Sequence, residues 1–131
     1  MREFKFRGKS TKTGEWVYGC LTLKTGSPRI AFYNSVGYWI EVEVISETIS
    51  QYTNLKDNNG KDIYEGDILK SFTEEPTKGK VFYSDGCYCL TSDFESSIND
   101  ESIYDVLDKN LILDNHLEVI GNIYENHELL Q

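Results

Sequence analysis

Histidine, cysteine and long apolar runs are scarce in this chain, and each scarcity excludes a class of protein. There are two histidines, His116 and His127, and three cysteines, Cys20, Cys87 and Cys89. No Gly-x-Ser-x-Gly elbow or Cys-His signature is present, so the usual motifs of nucleophilic catalysis are missing. No stretch of about 18 apolar residues could span a bilayer. The sequence therefore predicts a protein that is neither an enzyme nor inserted in a membrane, and we expect no cofactor.

The cysteine count and the N-terminus bear on the compartment. An odd number of cysteines argues against a disulfide framework. The chain opens with Arg2, Glu3 and Lys5 rather than an apolar run, which predicts that there is no signal peptide. We expect a soluble protein in a reducing cytoplasm.

Basic residues are scarce in the second part of the chain. Residues 1–50 hold 7 Lys/Arg and 5 acids, a net charge of +2, whereas residues 51–131 hold 6 lysines and 17 acids, a net charge of -11. A surface this acidic repels polyphosphate, so nucleic acid is not expected as the main partner. A local exception would be a basic patch of Arg2, Lys5, Arg7 and Lys9, which can also be read as a strand edge protected by charge.

Short aromatic and β-branched runs separated by turn signals predict a mostly β fold. In the run from Tyr38 to Ile45, Ile40 and Val42 alternate with Glu41 and Glu43, which predicts a strand with one wet face. The dipeptide Asp85-Gly86 predicts a type I′ hairpin in which Val81–Ser84 pairs with Cys87–Leu90. Asn59-Gly60 is a second turn candidate, either a hairpin or a looser loop tip.

One helix is expected from about Asn99 to Asp108, because Asn99 can cap it and Ile103, Val106 and Leu107 fall on one side. A last strand from Leu117 to Tyr124 is interrupted by Gly121, which predicts a bulge or bend. A change in composition near residue 50 suggests two sub-structures within a single domain of residues 1–131. These would be an N-terminal antiparallel β-sheet, residues 1–50, and a small β-barrel, residues 51–131.

Four segments give this chain a recognisable order of motifs. They are Phe4-Lys5-Phe6-Arg7-Gly8, Gly14-Glu15-Trp16-Val17-Tyr18-Gly19, the run from Gln51 to Lys70, and Val119-Ile120-Gly121-Asn122-Ile123-Tyr124-Glu125-Asn126. With them the chain resembles the YopX family of bacteriophage and prophage proteins. It departs from the family pattern at Ser50 and Asn54, where glycines are usual, and at His127, where a proline is usual.

The resemblance implies a phage- or prophage-encoded accessory protein in the cytoplasm of a bacterial host, with a mostly β fold and a small SH3-like barrel or roll in its C-terminal part. It implies no reaction, because the family is poorly characterised.

Two groups of residues invite a metal or acid–base hypothesis. Asp57, Asp62, Glu65 and Asp67 lie close together in sequence, but a calcium loop starting at Asp57 fails at its sixth and twelfth positions. Turn-forming carboxylates are the preferred interpretation. Cys87 and Cys89 have one residue between them, which is not the spacing of a zinc knuckle, so buried apolar thiols are preferred to a metal site.

Nine tyrosines and two tryptophans are the remaining signal. Such rings are frequent both in small β cores and at protein interfaces. We expect the rings that the core cannot bury to form an interaction surface, and the candidates are Trp16, Trp39, Tyr52 and Tyr64.

The preferred hypothesis is a non-catalytic β domain that binds another protein, as yet unidentified, or associates with itself as a homo-oligomer. The alternative is a small barrel that binds single-stranded nucleic acid, with Arg2, Lys5, Arg7 and Lys9 on phosphates and tyrosines stacked on bases. A weaker hypothesis is a Mg²⁺-dependent enzyme that uses Asp57, Asp62, Glu65 and Asp67.

Overall fold

The computed structural model of the chain describes residues 2–23, 26–91 and 101–130 and confirms a mostly β fold with antiparallel sheets. In chain order the elements are β1 (Phe6–Lys9), β2 (Trp16–Thr22), β3 (Arg29–Tyr33), β4 (Trp39–Glu43), a 3-10 helix (Ser46–Thr48), β5 (Ser50–Lys56), β6 (Asp62–Tyr64), β7 (Asp67–Lys70), β8 (Lys78–Ser84), β9 (Cys87–Thr91), β10 (Tyr104–Val106), α1 (Lys109–Asn115), β11 (Glu118–Asn122) and a 3-10 helix (His127–Leu130).

The chain forms two compact units, Met1–Tyr52 and Thr53–Gln131, which we call unit 1 and unit 2. The boundary falls within β5, two residues beyond the change in composition. Because Gln51 and Tyr52 are uncharged, the net charges of the units are those of the two sequence halves, +2 and -11.

Unit 1 is an antiparallel sheet with the strand order β4-β3-β2-β1-β5. Ile30 and Val44 are among its buried residues, and they lie on the face predicted to be apolar. Gly8 in β1 is required by close packing, because a Cβ there would lie 2.9 Å from the Cβ of Val44. Asn54 in β5, the second residue of unit 2, has a φ of 66°, so it occupies the left-handed conformation that asparagine tolerates.

Unit 2 contains a five-stranded antiparallel sheet with the order β10-β9-β8-β7-β11. Its core is a cluster of buried aliphatic side chains: Ile63, Leu69, Val81, Leu90, Leu107, Ile112 and Leu117. The two outer strands, β10 and β11, do not pair with each other in the described part of the chain. The sheet is therefore open, and the predicted SH3-like barrel is not confirmed.

The predicted hairpin and bulge are confirmed. Val81 pairs with Leu90 and Ser84 with Cys87, and Asp85 and Gly86 both have positive φ, as a type I′ turn requires. The pairing of β11 with β7 shifts register between Val119 and Gly121, so β11 carries a bulge at the expected place.

The predicted helix at residues 99–108 is wrong over its described part, and Asn99 itself lies outside the described residues. Tyr104–Val106 forms β10 and pairs with β9. Helix α1 begins only after Asp108, whose carboxylate accepts a hydrogen bond of 2.8 Å from the Leu111 amide. The segment before Asp108 favours a strand because Tyr104 is aromatic and Val106 is β-branched.

The loop between β5 and β6 is organised by one buried carboxylate. Asp57 Oδ1 accepts hydrogen bonds from the amides of Asn59 (2.8 Å) and Lys61 (2.9 Å). Its Oδ2 accepts a third from the amide of Val119 in β11 (2.9 Å). Asn59-Gly60 is therefore the tip of a loop and not a two-residue hairpin, and this loop is tied to a strand distant in sequence.

We predict that Asp57→Ala destabilises unit 2 by about 2–4 kcal/mol, because three backbone amides lose a charged acceptor in a buried site. Urea unfolding followed by circular dichroism measures the change. Asp114→Ala, at an exposed position of α1, is the control and should change the free energy of unfolding by less than about 0.5 kcal/mol. Equal effects of the two substitutions would contradict the structural role of Asp57.

We predict that Gly66→Ala is more destabilising than Gly60→Ala. Both glycines have φ near +85° (88° and 83°), so both substitutions carry left-handed strain of about 1–2 kcal/mol. Only at Gly66 would the new Cβ also press on Tyr124, 3.0 Å from its Cε2. Thermal unfolding of the two variants should therefore differ by about 0.5–1 kcal/mol; equal losses would show that the Tyr124 ring moves aside freely.

Candidate functional site

The four acidic residues of the run from Gln51 to Lys70 do not form a common site. Asp57 and Asp67 are buried and bind backbone amides; Asp67 Oδ2 accepts a hydrogen bond of 2.8 Å from the Tyr64 amide. Asp62 pairs with Lys56 across the β5–β6 hairpin, 2.6 Å from Nζ to Oδ1. Glu65 is half-buried in the turn between β6 and β7. In the described ranges, no three His, Cys, Asp or Glu side chains gather as metal ligands would.

The three cysteines have different environments. Cys20 and Cys87 are exposed, so the expectation of a buried thiol fails for Cys87. Cys89 is buried, and its Sγ donates to the carbonyl oxygen of Cys87 at 3.8 Å. Burial raises the pKa of the Cys89 thiol, and the neighbouring Cys87 and Asp85 raise it further.

The predicted basic patch is only partly accessible. Arg2 is exposed, whereas Lys5 and Lys9 are half-buried. Arg7 is buried at 5% exposure; its guanidinium stacks 4.4 Å from the Trp16 ring, and its Nε donates to Ser50 Oγ at 3.1 Å. The hydroxyl of Ser50, itself a buried residue, thereby has a hydrogen-bond partner.

Of the four candidates for an interaction surface, Trp39 is the exposed one. Tyr52 and Tyr64 are buried, at 5% and 3% exposure, and Trp16 is half-buried beneath the cations of β1. Trp39 is 48% exposed.

Trp39 belongs to an exposed group of rings that we call the aromatic patch, made of Tyr18, Tyr33 and Trp39. Tyr33 pairs directly with Trp39 across β3 and β4, with ring centroids 4.9 Å apart and an angle of 64° between the planes. Cys20 pairs with Ala31, and alternation from that pair puts Tyr18 and Tyr33 on the same face of the sheet. Tyr38, in the adjacent turn, is 68% exposed.

Acidic side chains border the aromatic patch. Alternation along β4 puts Glu41 and Glu43 on the same face as Trp39, and all three are exposed. The indole Nε1 of Trp39 donates to Glu41 Oε2 at 3.3 Å, which fixes the ring orientation. The patch therefore combines apolar area with negative charge, a combination suited to a cationic protein surface and not to phosphate.

Tyr18 and Tyr33 were not predicted from the sequence to belong to the aromatic patch. Their membership depends on the register between β3 and β4, which brings Tyr33 opposite Trp39. That register is set by the turn from Asn34 to Tyr38. That turn is organised by Asn34, whose Oδ1 accepts from the amides of Val36 (3.1 Å) and Tyr38 (2.9 Å). An asparagine that precedes a glycine by three residues was the available hint.

Each unit also contains a cavity. The cavity of unit 2 has a volume of about 230 Å³ and an apolar wall of Leu69, Leu90, Leu111 and Leu117. Two of its polar side chains already have partners, since Thr91 Oγ1 accepts from the Lys80 amide at 2.8 Å and Ser71 Oγ from the Thr77 amide at 2.8 Å. The cavity of unit 1, about 330 Å³, is polar and lies where β4 meets the segment after β1.

These features define a class: an antiparallel β protein of two compact units whose carboxylates in the acidic run support backbone structure. The chain belongs to the YopX protein family, whose model matches residues 5–131. No curated protein matches it. The fold is similar to the crystal structure of protein EF1440 from Enterococcus faecalis, with a TM-score of 0.63, 23% identity and coverage of 100% of both chains.

Helices are short throughout the described ranges, and none of them is long and apolar enough to cross a membrane.

We predict that the three thiols react in two phases with a chromogenic disulfide at pH 8. Cys20 and Cys87 should react quickly, and Cys89 more slowly by at least about tenfold, because its thiol is buried and its pKa is raised. Cys89→Ala should remove only the slow phase, and Cys87→Ser half of the fast phase. Three equal rates in the native protein would contradict this assignment, whereas equal rates in urea are expected.

Proposed function

We infer that this chain is a non-catalytic, phage- or prophage-encoded accessory protein of the host cytoplasm that acts by binding another protein or a second copy of itself. The observation that supports this function best is the aromatic patch. Tyr33 is 70% exposed although it already packs against Trp39. Two large rings held rigidly at a surface offer contact area at a small loss of conformational entropy on binding.

The remaining candidate chemistry is weaker support for other functions. Asp57 and Asp67 are occupied by backbone amides, which leaves them unsuited to bind Mg²⁺ or move a proton. A role in binding single-stranded nucleic acid draws on the cations and rings that share one face of β1 and β2. The burial of Arg7 and the acids beside Trp39 both oppose it.

We predict that a Tyr33→Ala/Trp39→Ala variant loses at least about 2 kcal/mol of association free energy, roughly 30-fold in affinity, because aromatic side chains at the centre of an interface contribute most of its energy. Light scattering coupled to size-exclusion chromatography measures self-association. Affinity capture from infected cells, with quantitative mass spectrometry, measures binding to other proteins.

The control is Phe72→Ala, which removes a ring of matching exposure, 48%, from unit 2. It should leave both readouts within about twofold of the parent chain. The proposal would be overturned if the parent chain stays monomeric and if every protein that it captures is also captured by the double variant. Salt-sensitive retention on single-stranded DNA that depends on Lys5 and Lys9 would favour the nucleic-acid function instead.

A further inference from the structure

Strand β4 forms one edge of the sheet in unit 1, and no described strand pairs with its outer side. The hydrogen bonds that bracket it are Asn34 N to Tyr38 O, 2.8 Å, and Val44 N to Pro28 O, 3.1 Å. Along an antiparallel strand, residues whose N–H and C=O bond to the partner strand alternate with residues whose backbone groups point away from it. The two bonds therefore show that the backbone groups of Ile40 and Val42 point to β3. The N–H and C=O of Trp39 and Glu41 consequently point outwards.

Two exposed glutamates and a short length are the features of the outer edge of β4 that oppose strand addition, and a cationic segment would neutralise the first of them. The strand has no proline, no lysine and no bulge. Its far end is closed, since the carbonyl of Glu43 accepts from the Thr11 amide at 3.1 Å. The open length is therefore short and defined, from Trp39 to Glu41.

The two faces of β4 indicate the chemistry of a strand that would fit beside it. On one face Trp39, Glu41 and Glu43 are exposed; on the other Ile40 and Val42 are half-buried. A cation placed opposite the first face would meet two carboxylates and an indole ring. An aliphatic side chain opposite the second face would extend the apolar surface of the sheet.

The cavity of unit 1 lies at the closed end of this edge and is bordered by Thr11, Arg29, Glu41 and Glu43. The Nε of Arg29 is buried and has no hydrogen-bond partner among the described residues. Because Arg29 lies on β3, with β4 between it and the outer edge, this N–H takes no part in strand addition.

We propose that β4 is the docking site for an extended segment of another protein, which adds to the sheet as a further strand and carries Lys or Arg at alternate positions. This deepens the proposed function and depends on it, because it names the chemistry of the partner. A second copy of β4 fits less well: antiparallel pairing centred on Glu41 would oppose two glutamates.

The test uses the full chain and a fluorescent peptide of alternating lysine and valine. A second peptide of the same charge carries N-methyl groups on the amides that would face β4. We expect the methylated peptide to bind at least about tenfold more weakly, because it cannot donate to the edge. In a ¹⁵N NMR titration, the unmethylated peptide should shift the amides of Trp39 and Glu41 first.

A pair of variants separates hydrogen bonding from charge. Glu41→Gln removes the carboxylate and keeps the outward N–H, whereas Glu41→Pro also removes that N–H, which the sheet itself does not use. We expect Glu41→Pro to bind the peptide at least about tenfold more weakly than Glu41→Gln. Glu75→Gln, an exposed acid of unit 2, should change binding by less than about twofold.

Equal binding of the two peptides, NMR shifts confined to residues 53–131, or no binding at millimolar peptide would each overturn the edge proposal. If Glu41→Pro does not fold, the methylated peptide still decides the question. A further result would separate the two proposals: neither peptide binds, but the Tyr33→Ala/Trp39→Ala variant loses a captured protein partner. The proposed function would then stand, and only strand addition to β4 would be rejected.

Discussion

Unit 2 depends on the carboxylate of Asp57. Backbone amides at a loop tip usually reach water, but here two amides of the β5–β6 loop and one of β11 converge on one buried side chain. The adjacent amide of Asn58 donates to the carbonyl of Leu117 at 2.8 Å and reinforces the same connection. Removal of this carboxylate would leave three partly buried donors without their acceptor, which costs more than the loss of an ordinary surface hydrogen bond.

Support of the backbone also accounts for the second buried carboxylate of the acidic run. Asp57 and Asp67 each accept hydrogen bonds from backbone amides within or across a turn. Gly66, next to Asp67, has a φ of +88° and lies against the ring of Tyr124. Tyr124 follows Asn122, whose Oδ1 accepts from the amides of Tyr124 and Glu125, both at 3.0 Å. The run from Gln51 to Lys70 and the motif near the C-terminus are therefore parts of one packed arrangement of turns.

Local chemistry made part of this fold predictable from sequence. Asp85-Gly86 specifies its hairpin because few other dipeptides tolerate two positive φ values, and the register then follows without further information. The bulge near Gly121 was predictable because a glycine interrupts an otherwise strand-like run there. The helix assigned to residues 99–108 failed because its apolar spacing suits a helix and a strand alike, and the pairing of β10 with β9 decided between them. The open sheet was also beyond local information, since closure depends on whether β10 and β11 meet.

The candidate site shows a second limit of prediction. Alternation correctly assigned Trp39, Glu41 and Glu43 to one face of β4, and the same rule places Trp16 on the equivalent face of β2. Yet Trp16 is partly covered by Arg7 and Lys9 from the neighbouring strand, whereas Trp39 on the outermost strand contacts Tyr33 and Glu41 and stays 48% exposed in the described part of the chain. Periodicity determines the face on which a ring lies, but strand order determines how many neighbours can cover it. The position of β4 at the edge of its sheet, which no local pattern encodes, is therefore what leaves the aromatic patch exposed.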